Sequence, residues 1–200
     1  MHRHRLPSRG ELSPARRESA TVTDVSRSHL LIRLKRASDG SAALSCVRAD
    51  GSTTWQRQRG ATGAVMPAHD LTHYAVESVL GYRRAFYGLV ADGWDIDDFA
   101  APYPRGPIPE EAREAEVVVG VFDTERMMGG NWSPTEVREQ GRSYVPRSRP
   151  GHEPVRFPEL SDADIERIHA VRAHVFARWA ALAPGETLEL PFTPSSRADA

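Results

Sequence analysis

Between Leu30 and Trp55 apolar and polar positions alternate, with Leu30, Ile32 and Leu34 on one side of an extended chain and Leu44 and Cys46 repeating the pattern. Period-two alternation is the mark of strands buried on one face. Asp39-Gly40 and Asp50-Gly51 separate the runs, and Asp-Gly supplies the positive φ angles of tight hairpin turns. The pattern predicts a three-stranded antiparallel meander ending in Thr53 and Trp55. A fourth strand is expected over Glu186 to Phe192, where Leu188, Leu190 and Phe192 alternate with Glu189 and Pro191. Pro191 lacks an N–H for the ladder, so this strand belongs at an edge.

The middle of the chain changes to the helical period. One helix is expected from Pro67 to Ala91, with Pro67 in the first turn and a core face of Leu71, Tyr74, Ala75, Val79, Phe86, Leu89 and Val90. A second is expected over Pro109 to Met128, where Glu110 and Glu111 complement the positive end of the dipole, although Val117 to Phe122 also suits a strand. Ser133-Pro134-Thr135-Glu136 is a capping box that starts a third. The last runs from Ser161 to Ala183, with Ile165, Ile168, Phe176, Trp179 and Leu182 as its buried stripe. Strands set apart from a run of helices predict an α+β domain, a small antiparallel sheet packed against about four helices.

The flanks lack such periods. Residues 1–26 are rich in Ser, Arg and Pro and are expected to be a disordered basic tail. Residues 27–193 are expected to form one domain and 194–200 a disordered C-terminus. An Arg- and Pro-rich loop from Pro146 to Pro158 joins the last two helices. Residues 1–36 carry nine Arg or Lys against three Asp or Glu, or +6, so the net charge of −1 leaves −7 for the remainder. An acidic body repels phosphate and the tail lacks interleaved aromatics, so nucleic acid is not the expected partner.

No apolar run reaches the length of a membrane span, and no apolar segment follows the arginines of the N-terminus as a signal peptide requires. Cys46 is the single cysteine, which rules out an intrachain disulfide or a thiolate metal cluster and leads to the expectation of a reducing cytoplasm. The sequence has no glycine-rich phosphate loop and no G-x-S-x-G elbow.

Chemistry concentrates in His69-Asp70-Leu71-Thr72-His73-Tyr74-Ala75-Val76-Glu77. With His69 at 0°, His73 falls at about 40° and Glu77 at about 80°, so the three climb one side of a helix. Two imidazoles four residues apart can share one Zn²⁺ or Fe²⁺, and a carboxylate completes three protein ligands. His69, His73 and Glu77 are therefore the candidate metal ligands. Asp70 is the candidate catalytic group, as a general base beside the ion or as an outer acceptor. The plainer alternative leaves these residues structural, with Glu77 paired to Arg84 or water. Gly81 and Gly88 lie on the same polar stripe and cost helix stability, so a close approach is expected there.

Further ligands are sought elsewhere. Glu166 and His169 have the E-x-x-H spacing of bundle metal sites, and Glu116 and Asp123 of the second helix can turn toward the histidines. Asp92, Asp95, Asp97 and Asp98 do not fit a calcium loop, and Asp95 is expected to cap a short helix.

The run from His69 to Trp94 resembles small uncharacterised bacterial proteins with an H-D-L-x-H-x-x-V-E helix, a resemblance that implies no activity. His69-Asp70-Leu71-Thr72-His73 is also similar to the H-D-x-x-H zinc motif of the coenzyme Q biosynthesis family. That resemblance implies metal binding for His69, Asp70 and His73. Ala85 stands where the family's later glutamate would be. The functional expectation is a metal-binding protein acting as a metal-dependent hydrolase on an unknown small molecule, with a noncatalytic binding or interaction protein as the alternative.

Overall fold

The computed structural model describes residues 30–60, 63–144 and 155–193. The expectations for the two terminal tails, and for most of the Arg- and Pro-rich loop, lie outside these residues. Strands β1 (Leu30–Arg36), β2 (Ala42–Arg48), β3 (Thr53–Arg57) and β4 (Thr187–Phe192) form one antiparallel sheet of order β3-β2-β1-β4. Leu30 faces Arg48 on one side and Phe192 on the other, so the meander has β4 added beside its first strand. Pro191 sits on that outer strand, as its missing N–H requires.

Leu30, Ile32, Leu34, Leu44, Cys46, Leu188, Leu190 and Phe192 all point to one face and are at most 2% exposed. Burial of each large aliphatic side chain contributes about 1.5–3 kcal/mol. The alternation fails on β3, where Thr54 turns inward and Trp55 lies 66% exposed on the outer face. The Thr54 hydroxyl accepts the backbone N–H of Ile96, so a polar residue is satisfied at the inner position.

The described residues form five helices, α1 (Met66–Leu80), α2 (Phe86–Ala91), α3 (Glu110–Met127), α4 (Pro134–Ser143) and α5 (Asp162–Ala180), of which α1, α2 and α5 place Leu71, Tyr87, Val90 and Val175 in the core on the sheet while α3 and α4 pack in a second, helical core. Ser133 and Ser161 start α4 and α5 with complete capping boxes, and Val117 to Phe122 is helical within α3. Asp95 caps the short 3-10 turn Ile96–Phe99. Helix α1 serves two cores. Leu71 joins the sheet cluster, while Ala75, Val76 and Leu80 pack with Val118, Val119, Phe122, Ile165 and Ile168 of α3 and α5.

The single helix expected from Pro67 to Ala91 is two. Gly81 adopts a left-handed φ of 67° and ends α1, its N–H and that of Tyr82 both turning back to the Glu77 carbonyl. Glycine takes this conformation without the Cβ penalty of other residues. The close approach at Gly88 comes from the turn that follows, because a Cβ there would overlap the Arg83 carbonyl. Among the described residues no helix is long and apolar enough to cross a membrane.

Candidate metal centre

His69 and His73 stand one turn apart on α1, with ring centroids 4.7 Å apart and planes at 81°. Each Nδ1 meets a carboxylate. His69 Nδ1 lies 2.8 Å from Asp123 Oδ2 of α3, and His73 Nδ1 lies 3.1 Å from Glu77 Oε1. A carboxylate against Nδ1 fixes the orientation of each ring, an arrangement used around metal-binding histidines. His73 Nε2 in turn lies 3.5 Å from Glu116 Oε1.

His69, His73 and Glu116 each bring a ligand atom within 4.8 Å of the others, and this group can hold a metal ion. An ion bound tetrahedrally at about 2.0–2.1 Å separates its ligand atoms by about 3.3 Å. Closing the longest gap therefore takes a shift of about 1.5 Å. The Glu116 side chain is 58% exposed and has room to change rotamer. The group is buried at His73, half-buried at His69 and open at Glu116, so one side faces solvent.

Glu77 takes another place in the arrangement. It is 1% exposed, and its second oxygen accepts the backbone N–H groups of Tyr87 (2.9 Å) and Gly88 (3.4 Å). Those amides reach it only because the chain breaks at Gly81 and returns as α2. Glu77 thus ties the start of α2 to the imidazole of His73, and it is not among the clustered ligand atoms. Burial pushes its pKa up against the opposing pull of His73 and the two amides.

Asp70 is not in the ligand group. Its carboxylate accepts a hydrogen bond from Gln58, its backbone carbonyl accepts the Tyr87 hydroxyl at 3.1 Å, and the residue is 5% exposed. Desolvation raises its pKa to about 6. The Gln58 Oε1 atom beside it is buried without a hydrogen-bond partner.

Asp123 is fixed by three groups, His69, Thr72 Oγ1 (3.3 Å) and Arg126 Nε (3.4 Å). Burial works against its charge, but His69 and Arg126 outweigh that cost and hold its pKa below the usual range. For His73 burial disfavours the cation, yet Glu116 and Glu77 overcome it and the pKa is well above the ordinary imidazole value. The pocket of Glu77, Glu116 and Asp123 is a field for a cation.

The other sequence candidates do not join the cluster. His169 Nε2 lies 3.0 Å from Glu125, a fully buried carboxylate that also accepts from Arg172 and from the Trp132 N–H at 2.8 Å. His169 is thus the hydrogen-bonded partner of a core acid. Glu166 is exposed on α5. Of the distant acids considered from the sequence, Glu116 enters the ligand group and Asp123 backs His69.

No protein-family model, curated protein or solved structure matches this chain.

Proposed function

We propose that this protein binds one divalent ion, Zn²⁺ or Fe²⁺, through His69, His73 and Glu116, and that it uses the ion to activate water in a hydrolytic reaction. The observation that carries the reading is the pair of carboxylates behind the two imidazoles, Asp123 at 2.8 Å and Glu77 at 3.1 Å. Metal-ligating histidines commonly present their other ring nitrogen to a carboxylate, which fixes the ring and raises its basicity. Three protein ligands with an open side are the donor set of catalytic rather than structural zinc sites. An ion at such a site lowers the pKa of a bound water toward neutrality and polarises a substrate oxygen.

In this proposal the chain's own residues divide the work. His69 and Glu116 hold the ion from α1 and α3, and His73 closes the buried side. Asp123 and Glu77 keep the rings turned. The hydrolytic substrate is a small molecule that approaches over Glu116. Asp70 is buried and bonded to Gln58, and the proposal gives it no step.

A noncatalytic reading has its own support. With its pKa raised, a protonated His73 bridges Glu77 and Glu116 and satisfies both without an ion. Elemental mass spectrometry on untagged protein separates the two. The metal reading expects close to one zinc or iron per chain, lost in His69→Ala and His73→Ala and reduced in Glu116→Gln, with each variant folded by circular dichroism. Wild-type protein that stays metal-free after exposure to Zn²⁺ and anaerobic Fe²⁺ would overturn it in favour of the noncatalytic reading.

A further inference from the structure

The two edges of the sheet are finished differently. Hydrogen bonds from the Arg48 N–H to the Ser52 carbonyl and from the Gln58 N–H to the Ala42 carbonyl, both 2.9 Å, fix the phase of the ladder between β2 and β3. Antiparallel ladders alternate, so Thr54 and Gln56 also bond to β2, while Thr53, Trp55 and Arg57 turn their backbone N–H and C=O groups outward. On the opposite edge the same alternation turns Thr187, Glu189 and Pro191 outward from β4. That edge is closed off. Pro191 has no N–H, its carbonyl accepts the Tyr74 hydroxyl at 3.2 Å, and the Glu189 carbonyl accepts Arg178 at 3.1 Å.

Nothing comparable guards β3. Among the described residues the backbone groups of Thr53, Trp55 and Arg57 have no hydrogen-bond partner, and the three side chains are exposed together with Gln56. Trp55, at the middle of the strand, is 66% exposed. A row of unpaired N–H and C=O groups is a template for another strand.

We propose that the β3 edge pairs with the β3 edge of a second copy of this chain, antiparallel about a two-fold axis at Trp55, so that the sheet continues across both copies. The edge is complementary to itself in that register. Trp55 faces Trp55, Thr53 faces Arg57 in both directions, and Thr54 faces Gln56, so no like charges stand directly opposite. Continuing the register carries Arg59, exposed beyond the end of one strand, toward the exposed Asp50-Gly51 turn of the other, where the charges are opposite. An extended peptide of another protein meets the same amides, but the two-fold register also gives the exposed indole a matched aromatic partner. One five-residue edge buries less than the about 1,200 Å² at which stable complexes begin, so the association is reversible and concentration-dependent.

Sedimentation velocity on the full-length untagged protein, from micromolar to millimolar concentration, tests this. A monomer–dimer equilibrium is expected, with amide exchange at Thr53, Trp55 and Arg57 slowing as the dimer forms. Trp55→Lys places two cations opposite each other at the axis and is expected to weaken dimerisation by about tenfold or more. Trp55→Glu should weaken it likewise, and an equimolar mixture of the two variants should recover a heterodimer. Because Trp55 is exposed, both variants are expected to keep the wild-type circular dichroism. Thr53→Pro removes an outward N–H without touching a bond to β2, and it too should weaken the dimer. A dimer that Trp55→Lys and Thr53→Pro both leave intact would overturn the proposal by placing the contact elsewhere. Protein that stays monomeric throughout would overturn it as well, with protected β3 amides pointing to cover by this chain's own residues and unprotected ones to an edge left open for a peptide of another protein.

Discussion

Glu77 joins His73 to the backbone of α2, with one oxygen 3.1 Å from the imidazole Nδ1 and the other 2.9 Å from the Tyr87 amide nitrogen. Both oxygens are acceptors, and a carboxylate alone can serve both donors. In Glu77→Gln one end becomes a donor, so the side chain must either oppose the Tyr87 N–H or donate to Nδ1 and shift the ring proton to Nε2. The variant is expected to fold and to bind Zn²⁺ about 10–100-fold more weakly, the usual effect of losing an outer-shell partner. Competition with a chromophoric chelator measures this; unchanged affinity would sink the orienting role of Glu77.

Asp70 links the buried interior to pH. Its pKa of about 6 lies above the unfolded value of about 3.9. The folded state therefore holds a proton that the unfolded chain releases, and the stabilisation, complete below pH about 4, is lost as pH rises through 6. Asp70→Asn keeps an acceptor for Gln58 and adds a donor for the orphaned Gln58 Oε1. In metal-free protein it is expected to be about 1–3 kcal/mol more stable than wild type at pH 7, with the gap narrowing toward pH 4. Urea melts at the two pH values check the sign, and a destabilised variant at pH 7 would contradict it.

Glu125 has the opposite dependence. Burial raises its pKa, but hydrogen bonds from His169, Arg172 and Trp132 prevail and the net shift is downward. A depressed carboxylate stabilises the fold above its unfolded pKa and loses that contribution as pH falls through the folded value. Glu125→Gln turns a donor toward Arg172 or His169 and should cost about 1–3 kcal/mol at pH 7, while losing less stability than wild type on acidification below pH about 4.5. Thermal melts from pH 3 to 7 give both slopes; parallel curves would refute the assignment.

Gly88 tests the turn that carries Glu77's amide donors. The Cβ of Gly88→Ala would overlap the Arg83 carbonyl, and backbone cannot yield as a flexible side chain does. A loss of about 1–3 kcal/mol is expected from this overpacking. Zn²⁺ affinity should fall with it, because displacing α2 loosens the bonds to Glu77. A variant as stable as wild type in urea would show that the turn relaxes freely.

Local signals were legible where the responsible physics is local. Alternation located β1, β2 and β4, Pro191 located the edge, and Ser133 announced its helix through a capping box. The break at Gly81 also had a signal, a glycine after a helical run, which is the commonest way for a helix to end. It was obscured because the apolar period continues through Phe86, Leu89 and Val90. Those residues are in α2, which packs on the same sheet core after the turn.

The sequence by itself determined that His69, His73 and Glu77 share one side of a helix, because that relation needs only 100° per residue. It also determined the α+β class, through the two periods of its apolar positions. The tertiary structure alone decided which groups meet the two imidazoles. Glu77 turns to the amides of Tyr87 and Gly88, while Glu116 and Asp123, from a separate helix much further along the chain, close on His73 and His69. That choice depends on the rotation of α3 against α1, which is set by the packing of Ala75 and Val76 with Val118, Val119 and Phe122. Ridges and grooves of two helices settle it jointly, so neither helix's own periodicity contains the answer.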